Sequence, residues 1–170
     1  GRNINKLENE RKIIVSQYQV EVLLYEFDVL DISNHSKLIN ELNDLPSTVV
    51  STIGLLGDQA ENELNIEKAT NVIKSNFEGP ALILLRFAKK FEKRGYGTLI
   101  GFSSVAGERG RANNYIYGSA KSGFTTFLSG LRNKFSSKGV HVITVLPGYV
   151  LTKMTKNMNL PKFLTAQPKE

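Results

Sequence analysis

Tyr117 and Lys121 lie four residues apart in the run Tyr-Gly-Ser-Ala-Lys, and Ser104 precedes the tyrosine by thirteen residues in Gly-Phe-Ser-Ser-Val-Ala-Gly. On a helix, positions i and i+4 share a face, so the Lys121 ammonium is expected beneath the Tyr117 phenol. A cation placed there makes the phenol a better proton donor and acceptor near neutral pH. A serine hydroxyl from another element would then hold a substrate carbonyl against the phenol. Proton transfer to a carbonyl, or from an alcohol, is the chemistry these residues suggest.

The elements that must position them alternate in type. Residues 20–28 (Val-Glu-Val-Leu-Leu-Tyr-Glu-Phe-Asp) read as a strand, and 33–44 as a helix capped by Ser33. Residues 48–53 read as a second strand, opened by Pro46 and closed at Gly54. From 65 to 94, Ile73, Phe77, Ala81, Leu84, Phe87 and Phe91 recur at helical spacing, with Gly79-Pro80 predicting a kink. A third strand over 98–103, a helix over 114–138 carrying Tyr117 and Lys121, and a fourth strand over 140–146 complete the pattern. Strands alternating with helices predict parallel βαβ units with right-handed crossovers.

At these residues the chain resembles the short-chain dehydrogenase/reductase family, whose signature is a serine, then Tyr-x-x-x-Lys, then a strand ending in Pro-Gly. The last part is Val-Ile-Thr-Val-Leu-Pro-Gly at 142–148, followed by Thr152 in the family's Pro-Gly-x-x-x-Thr pattern. The resemblance runs from about Asp28 to the C-terminus. It implies a doubly wound, Rossmann-like α/β fold in a single domain over 1–170, and an NAD(P)-dependent oxidoreductase acting on a carbonyl or alcohol.

By the same resemblance Tyr117 is the catalytic acid/base, and Lys121 both tunes it and holds the nicotinamide ribose. Register to Tyr117 assigns the substrate-orienting serine to Ser104 rather than Ser103. Asn76 is similar to the helix asparagine that holds a water in a proton relay to the lysine, with a local kink beside Gly79 as the other reading. Asp28 and Val29 match the strand end that contacts the adenine region, although aspartate there is also ordinary turn chemistry. In place of the family's Asn-Asn-Ala-Gly stands Ser51-Thr52-Ile53-Gly54; only Gly54 survives, for close approach of backbone to cofactor. Pro147, Gly148 and Thr152 are implied cofactor contacts.

Arg2 falls just after the family's second strand, where an arginine pairs with the 2′-phosphate of NADP. NADP is therefore the expected cofactor, with NAD as the alternative. The run Ser-Ser-Val-Ala-Gly-Glu-Arg-Gly-Arg, with Met154-Thr155 and Leu160-Pro161 after the Pro-Gly loop, is similar to one branch: the decaprenylphosphoryl-2-keto-erythro-pentose reductases and related envelope-sugar oxidoreductases. Arg109 and Arg111 would then meet a phosphate on a phosphorylated or lipid-linked sugar, a solvated turn being the other reading.

Length and composition bound the rest. A chain of 170 residues supports one domain, burying roughly 70% of its unfolded surface. Without cysteine there is no disulfide framework and no thiol nucleophile. The net charge of +6 is spread along the chain, which points away from a nucleic-acid tract. No apolar run reaches the roughly 20 residues of a membrane span, and no signal peptide is visible, so the expected location is cytoplasmic. His35 and His141 lie far apart without acidic companions, so no metal is expected.

Family members also open with a strand, loop and helix carrying Gly-x-x-x-Gly-x-Gly, whose amides cradle the cofactor pyrophosphate. This sequence lacks that motif. It starts Gly1-Arg2-Asn3, continues with a charged helical stretch to Ile14, and ends with 165–170 reading as the cap and first turn of a helix. The expectation is a segment truncated at both ends, its sheet incomplete between 20–28 and 48–53. Two functional readings remain. One is the reductase; the other is a non-catalytic relative acting as a dimerisation or binding module through the helical surfaces of 65–94 and 114–138. A homodimer or homotetramer is expected under either.

Overall fold

A computed structural model of the chain describes residues 1–156, 158 and 160–168. Three parallel strands, β1 (Thr48–Ser51), β2 (Gly97–Phe102) and β3 (Val140–Val145), form a sheet in the order β1-β2-β3. Val50 sits opposite Ile100, and Ile100 opposite Ile143. Parallel neighbours need long crossovers, and these are helical. From β1 the chain runs through α3 (Gln59–Leu64), α4 (Ile66–Ile73) and α5 (Gly79–Arg94) to β2, then through α6 (Tyr115–Phe135) to β3. Ahead of the sheet lie α1 (Glu8–Tyr18) and α2 (His35–Glu41). This is the expected Rossmann-like arrangement.

The core forms between α5, α6 and one face of the sheet. Leu99, Val140 and Val142 alternate inward and meet Leu84, Phe91, Phe124, Leu128 and Phe135, of which the last five are fully buried. Each such side chain contributes about 1.5–3 kcal/mol by leaving water. On the opposite face Val50 is 52% and Ile143 46% exposed. At the start of β1, Arg94 ties α5 to the incoming chain by donating to the carbonyls of Leu45 and Pro46 at 2.7 and 2.8 Å.

Four segments depart from the sequence reading. Among the described residues, 20–28 join no ladder; Gly1 bonds to them, its amine donating to the Tyr25 carbonyl and its carbonyl accepting from the Phe27 amide. Two bonds from one residue do not make a strand, since a ladder needs a run of paired groups. Among the described residues β1 is therefore an edge of the sheet, and 20–28 does not shift to cover it.

The helix after 20–28 is shorter than the 33–44 expected, and Ser33 is not its cap. Ser33 and Asn34 instead donate to the Asp31 carboxylate and wind a 3₁₀ turn, Ile32–Asn34, ahead of α2. The break in the long helix also sits earlier than Gly79-Pro80. Lys74–Glu78 forms a π turn, with the Gly79 amide donating five residues back to Lys74. Pro80 has no amide to give Asn76, and its ring would crowd that carbonyl in an α-helix; widening the preceding turn relieves the clash.

The fourth departure is at the end of the described chain. Thr165–Ala166 forms a strand, β5, parallel to β4 (Tyr149–Val150), where a helix start was expected. The Thr165 hydroxyl donates to the Pro161 carbonyl rather than capping a helix. Lys169 and Glu170, the remainder of that reading, lie outside the described residues.

Candidate active site

Ser104 leaves the C-terminal end of β2 and caps a 3₁₀ turn, Val105–Gly107, its hydroxyl accepting the Ala106 amide at 3.1 Å. Beside it stands the Tyr117 phenol, whose affinity for its proton the Ser104 hydroxyl lowers. Tyr117 and Lys121 occupy the first turns of α6, one above the other, with the Lys121 Nζ 5.8 Å from the Tyr117 ring centroid. The three residues whose spacing suggested proton transfer are thus brought together.

Ser103 has a different task. It is buried, and its hydroxyl donates to the Lys121 carbonyl at 2.8 Å and lies 2.7 Å from the Thr125 hydroxyl. It fastens the end of β2 to the helix that carries Lys121. Register alone could separate the two serines but could not show that the second holds the scaffold.

Lys121 is 3% exposed, and its ammonium donates to the Phe102 carbonyl at 2.9 Å and, at the limit of a hydrogen bond, to the Ile53 carbonyl at 3.5 Å. Burial pushes its amine down to about 8. Burial also pushes the Tyr117 phenol above its ordinary value, against the smaller opposing pull of the nearby Ser104 hydroxyl. The expected lowering of the phenol by the ammonium is therefore not the dominant influence here. Two backbone carbonyls take up the ammonium, which meets the ring of the tyrosine.

Asn76 sits in the π turn, fully buried. Its amide donates to the carbonyls of Leu55 and Val72 at 2.6 and 2.7 Å, and its oxygen accepts the Leu55 amide at 3.2 Å. It thereby fixes the loop after β1 against α4. Gly54 lies in that loop: a Cβ there would stand 3.0 Å from the Asn76 oxygen and 3.4 Å from the Lys121 Nζ. Asn76, Lys121 and the bare backbone of Gly54 converge on one point.

Gly54 also belongs to a cavity of about 380 Å³ that includes Arg2, Asp28 and Val29 in its lining, together with Asn71 and Ser75, which the sequence reading did not single out. Asn71 and Ser75 are polar residues four apart on one helical face, the signal that could have marked them. Within this cavity the Asp28 carboxylate accepts the Leu30 amide at 3.0 Å, the turn chemistry weighed as its alternative. Val29 is buried, its carbonyl and side chain pressed on Gly79, where a Cβ would come within 2.7 Å of both.

The Pro-Gly loop closes the other side of Ser104, the Pro147 carbonyl accepting the Val105 amide at 3.3 Å. Gly148 and Thr152 are exposed, and the Thr152 amide donates to the Thr155 hydroxyl at 3.0 Å. Arg109 is exposed and makes no hydrogen bond or ion pair among the described residues; Arg111 is half-buried, its carbonyl accepting the Asn114 amide ahead of α6. The arginines occupy the turn between Ser104 and Tyr117, whereas Arg2 and Asp28 lie beyond Gly54.

A family model described as short chain dehydrogenase matches residues 1–162. The chain belongs to the short-chain dehydrogenase family. This short-chain dehydrogenase is 33% identical over 171 aligned positions to an uncharacterised oxidoreductase of Mycobacterium tuberculosis, covering 99% of the chain and 68% of the relative. It is 28% identical over 142 positions to an acetoacetyl-CoA reductase of Allochromatium vinosum, covering 82% of the chain and 58% of that enzyme. Its fold superposes on a short-chain dehydrogenase from Sphingobium yanoikuyae in complex with NADPH with a TM-score of 0.83 at 18% identity, covering 98% of the chain and 67% of that structure. The chain thus spans about two thirds of two of these proteins and less of the third. The likeness to the narrower branch of envelope-sugar reductases gains no support from these relatives.

Proposed function

We propose that this chain carries the catalytic centre of an NAD(P)H-dependent carbonyl reductase. The observation that carries the reading is the convergence of Ser104, Tyr117 and Lys121 beside the bare backbone of Gly54. In this reading the Ser104 hydroxyl donates to the substrate carbonyl oxygen and holds it at the phenol. Tyr117 then delivers its proton to that oxygen, and its raised affinity for protons keeps it in the donor form at neutral pH. Lys121, still mostly protonated at pH 7 with an amine at about 8, offsets the negative charge that grows on the phenolate.

The cavity fits a dinucleotide in its chemistry: Gly54 leaves room for close approach, and Arg2 offers a guanidinium to a 2′-phosphate. Gly54, Asp28, Val29, Arg2, Lys121, Pro147, Gly148 and Thr152 are the residues that would hold NADP. What a reduced nicotinamide supplies when bound is a hydride for the carbonyl carbon. Asn76 acts as a positioning residue that keeps the Gly54 loop and Lys121 in register.

A purely non-catalytic module has less support. Burying an amine whose ionisation is held down to about 8 serves no dimerisation surface. The exposed apolar residues Ile66, Ile73 and Phe77 on the α4 side nevertheless suit a homodimer or homotetramer. Among the described residues no helix is long and apolar enough to cross a membrane; a cytoplasmic location belongs to the proposal.

Arg109 and Arg111 point to a substrate whose ketone is attached to a phosphate-bearing group, whether a sugar phosphate, a polyprenyl phosphate or coenzyme A. Replacing both with glutamine should raise KM about tenfold or more for acetoacetyl-CoA or for a phosphorylated keto-sugar, and leave KM for a neutral ketone unchanged. Whichever of the two phosphorylated substrates shows the larger kcat/KM identifies the source of the phosphate. Equal effects on charged and neutral ketones would return this stretch to a solvated turn.

A further inference from the structure

A second cleft lies away from the candidate active site, between α2 and α5. It encloses about 600 Å³. Its apolar lining is Ile39, Leu82 and Leu85, and its cations are Arg86, Lys89, Lys90 and Lys93; no acidic residue lines it. On α5 these cations stand at i, i+3, i+4 and i+7, so they form one stripe about 10 Å long at 1.5 Å per residue. Arg86 is steadied by a 2.9 Å hydrogen bond to Ser36 on α2. Lys89 makes a long contact of 3.5 Å with Glu92, which is also paired with Lys138. Lys90 and Lys93 are exposed and have no ion-pair partner among the described residues.

We propose that this groove docks an acidic amphipathic helix of a partner protein, with apolar side chains on Ile39, Leu82 and Leu85 and carboxylates on the α5 lysines. Charge complementarity selects the occupant. A stripe of three or four cations is too long for one phosphate. A concave groove between two helices cannot lie flat on a lipid surface. No aromatic residue lines the groove, so nucleic-acid bases have nothing to stack on. A helix laid into an apolar groove with anchors three and four residues apart meets both the shape and the charge. Arg86 to Lys93 lie ten to seventeen residues beyond Asn76, about 15 to 25 Å along the helix direction, so docking leaves the reaction centre uncovered.

The test is fluorescence anisotropy with a labelled synthetic peptide of about 15 residues, a length that can hold a helix, bearing leucine on one face and glutamate on both flanks. Saturable binding is expected, weakened about tenfold or more in the Lys90→Glu/Lys93→Glu variant. A scrambled peptide of the same composition should bind far more weakly. Because both lysines are exposed and unpaired, the variant's melting temperature and ketone reduction should stay at the parent's values. A Leu82→Ser/Leu85→Ser variant tests the apolar anchors, read only against a matched melting curve. Equal binding of the scrambled peptide, or no effect of charge reversal, would overturn the proposal. So would the absence of peptide binding together with Lys90- and Lys93-dependent binding to phosphatidylglycerol vesicles, which would identify a membrane surface instead.

Discussion

Lys121 is held where a neutral side chain would be more stable. Its amine ionises at about 8 in the fold against 10.5 for a free lysine. Below pH 8 both folded and unfolded chains carry the charge, and the folded chain bears the full burial penalty, on the order of 3 kcal/mol. Between about pH 8 and 10.5 the folded chain has released a proton that the unfolded chain keeps, so this group makes stability rise with pH across that window. Lys121→Met removes the penalty and deprives the Phe102 carbonyl of a donor, a loss of about 1 kcal/mol. The variant should be more stable than the parent at pH 7 by about 1–2 kcal/mol, with the gap shrinking at pH 10, while ketone reduction collapses. Urea unfolding at the two pH values checks this; a destabilised variant, or a gap independent of pH, would remove burial of the charge as the governing effect.

Ser104 and Tyr117 act together only because the turn between β2 and α6 lies hard against the helix. A Cβ on Gly107 would come within 2.7 Å of the Ser122 amide nitrogen, and one on Gly118 within 2.7 Å of the Ala106 carbonyl oxygen. Both obstacles are backbone, so neither can swing aside. Gly107→Ala should therefore shift the turn that Ser104 caps, costing about 1–3 kcal/mol and most of the turnover; urea midpoints and initial rates measure the two effects. A variant with parental stability and rate would show that this close approach is not needed.

Such contacts join residues far apart in sequence, and the chain's local pattern does not carry them. The three paired strands were legible because each is a short apolar run bounded by turn residues, and Ser104, Tyr117 and Lys121 because their spacing is local. Residues 20–28 have the composition of a strand, but pairing is a property of neighbours and not of the run itself. The π turn at Lys74–Glu78 was foreseen as a kink at Pro80 because the proline's effect falls on the preceding turn, where the carbonyl it crowds is found. Ser103's hold on α6 and the carbonyl clamp on Lys121 exist only once the helix packs on the strand ends.

The molecule as a whole divides into three regions. One face of the sheet, with α5 and α6, forms the core; the C-terminal ends of the strands gather the reacting groups; and the far half of α5 carries a basic groove. The central claim is that the second region reduces a carbonyl with Tyr117 as the proton donor. The direct measurement is NADPH consumption with a ketone such as acetoacetyl-CoA, comparing the parent protein with Tyr117→Phe, alongside NADPH affinity by fluorescence titration. The account predicts turnover lower by about 10²- to 10⁴-fold with cofactor affinity within about twofold of the parent, because only the proton transfer is removed. A Tyr117→Phe protein that retains most of its turnover would contradict it.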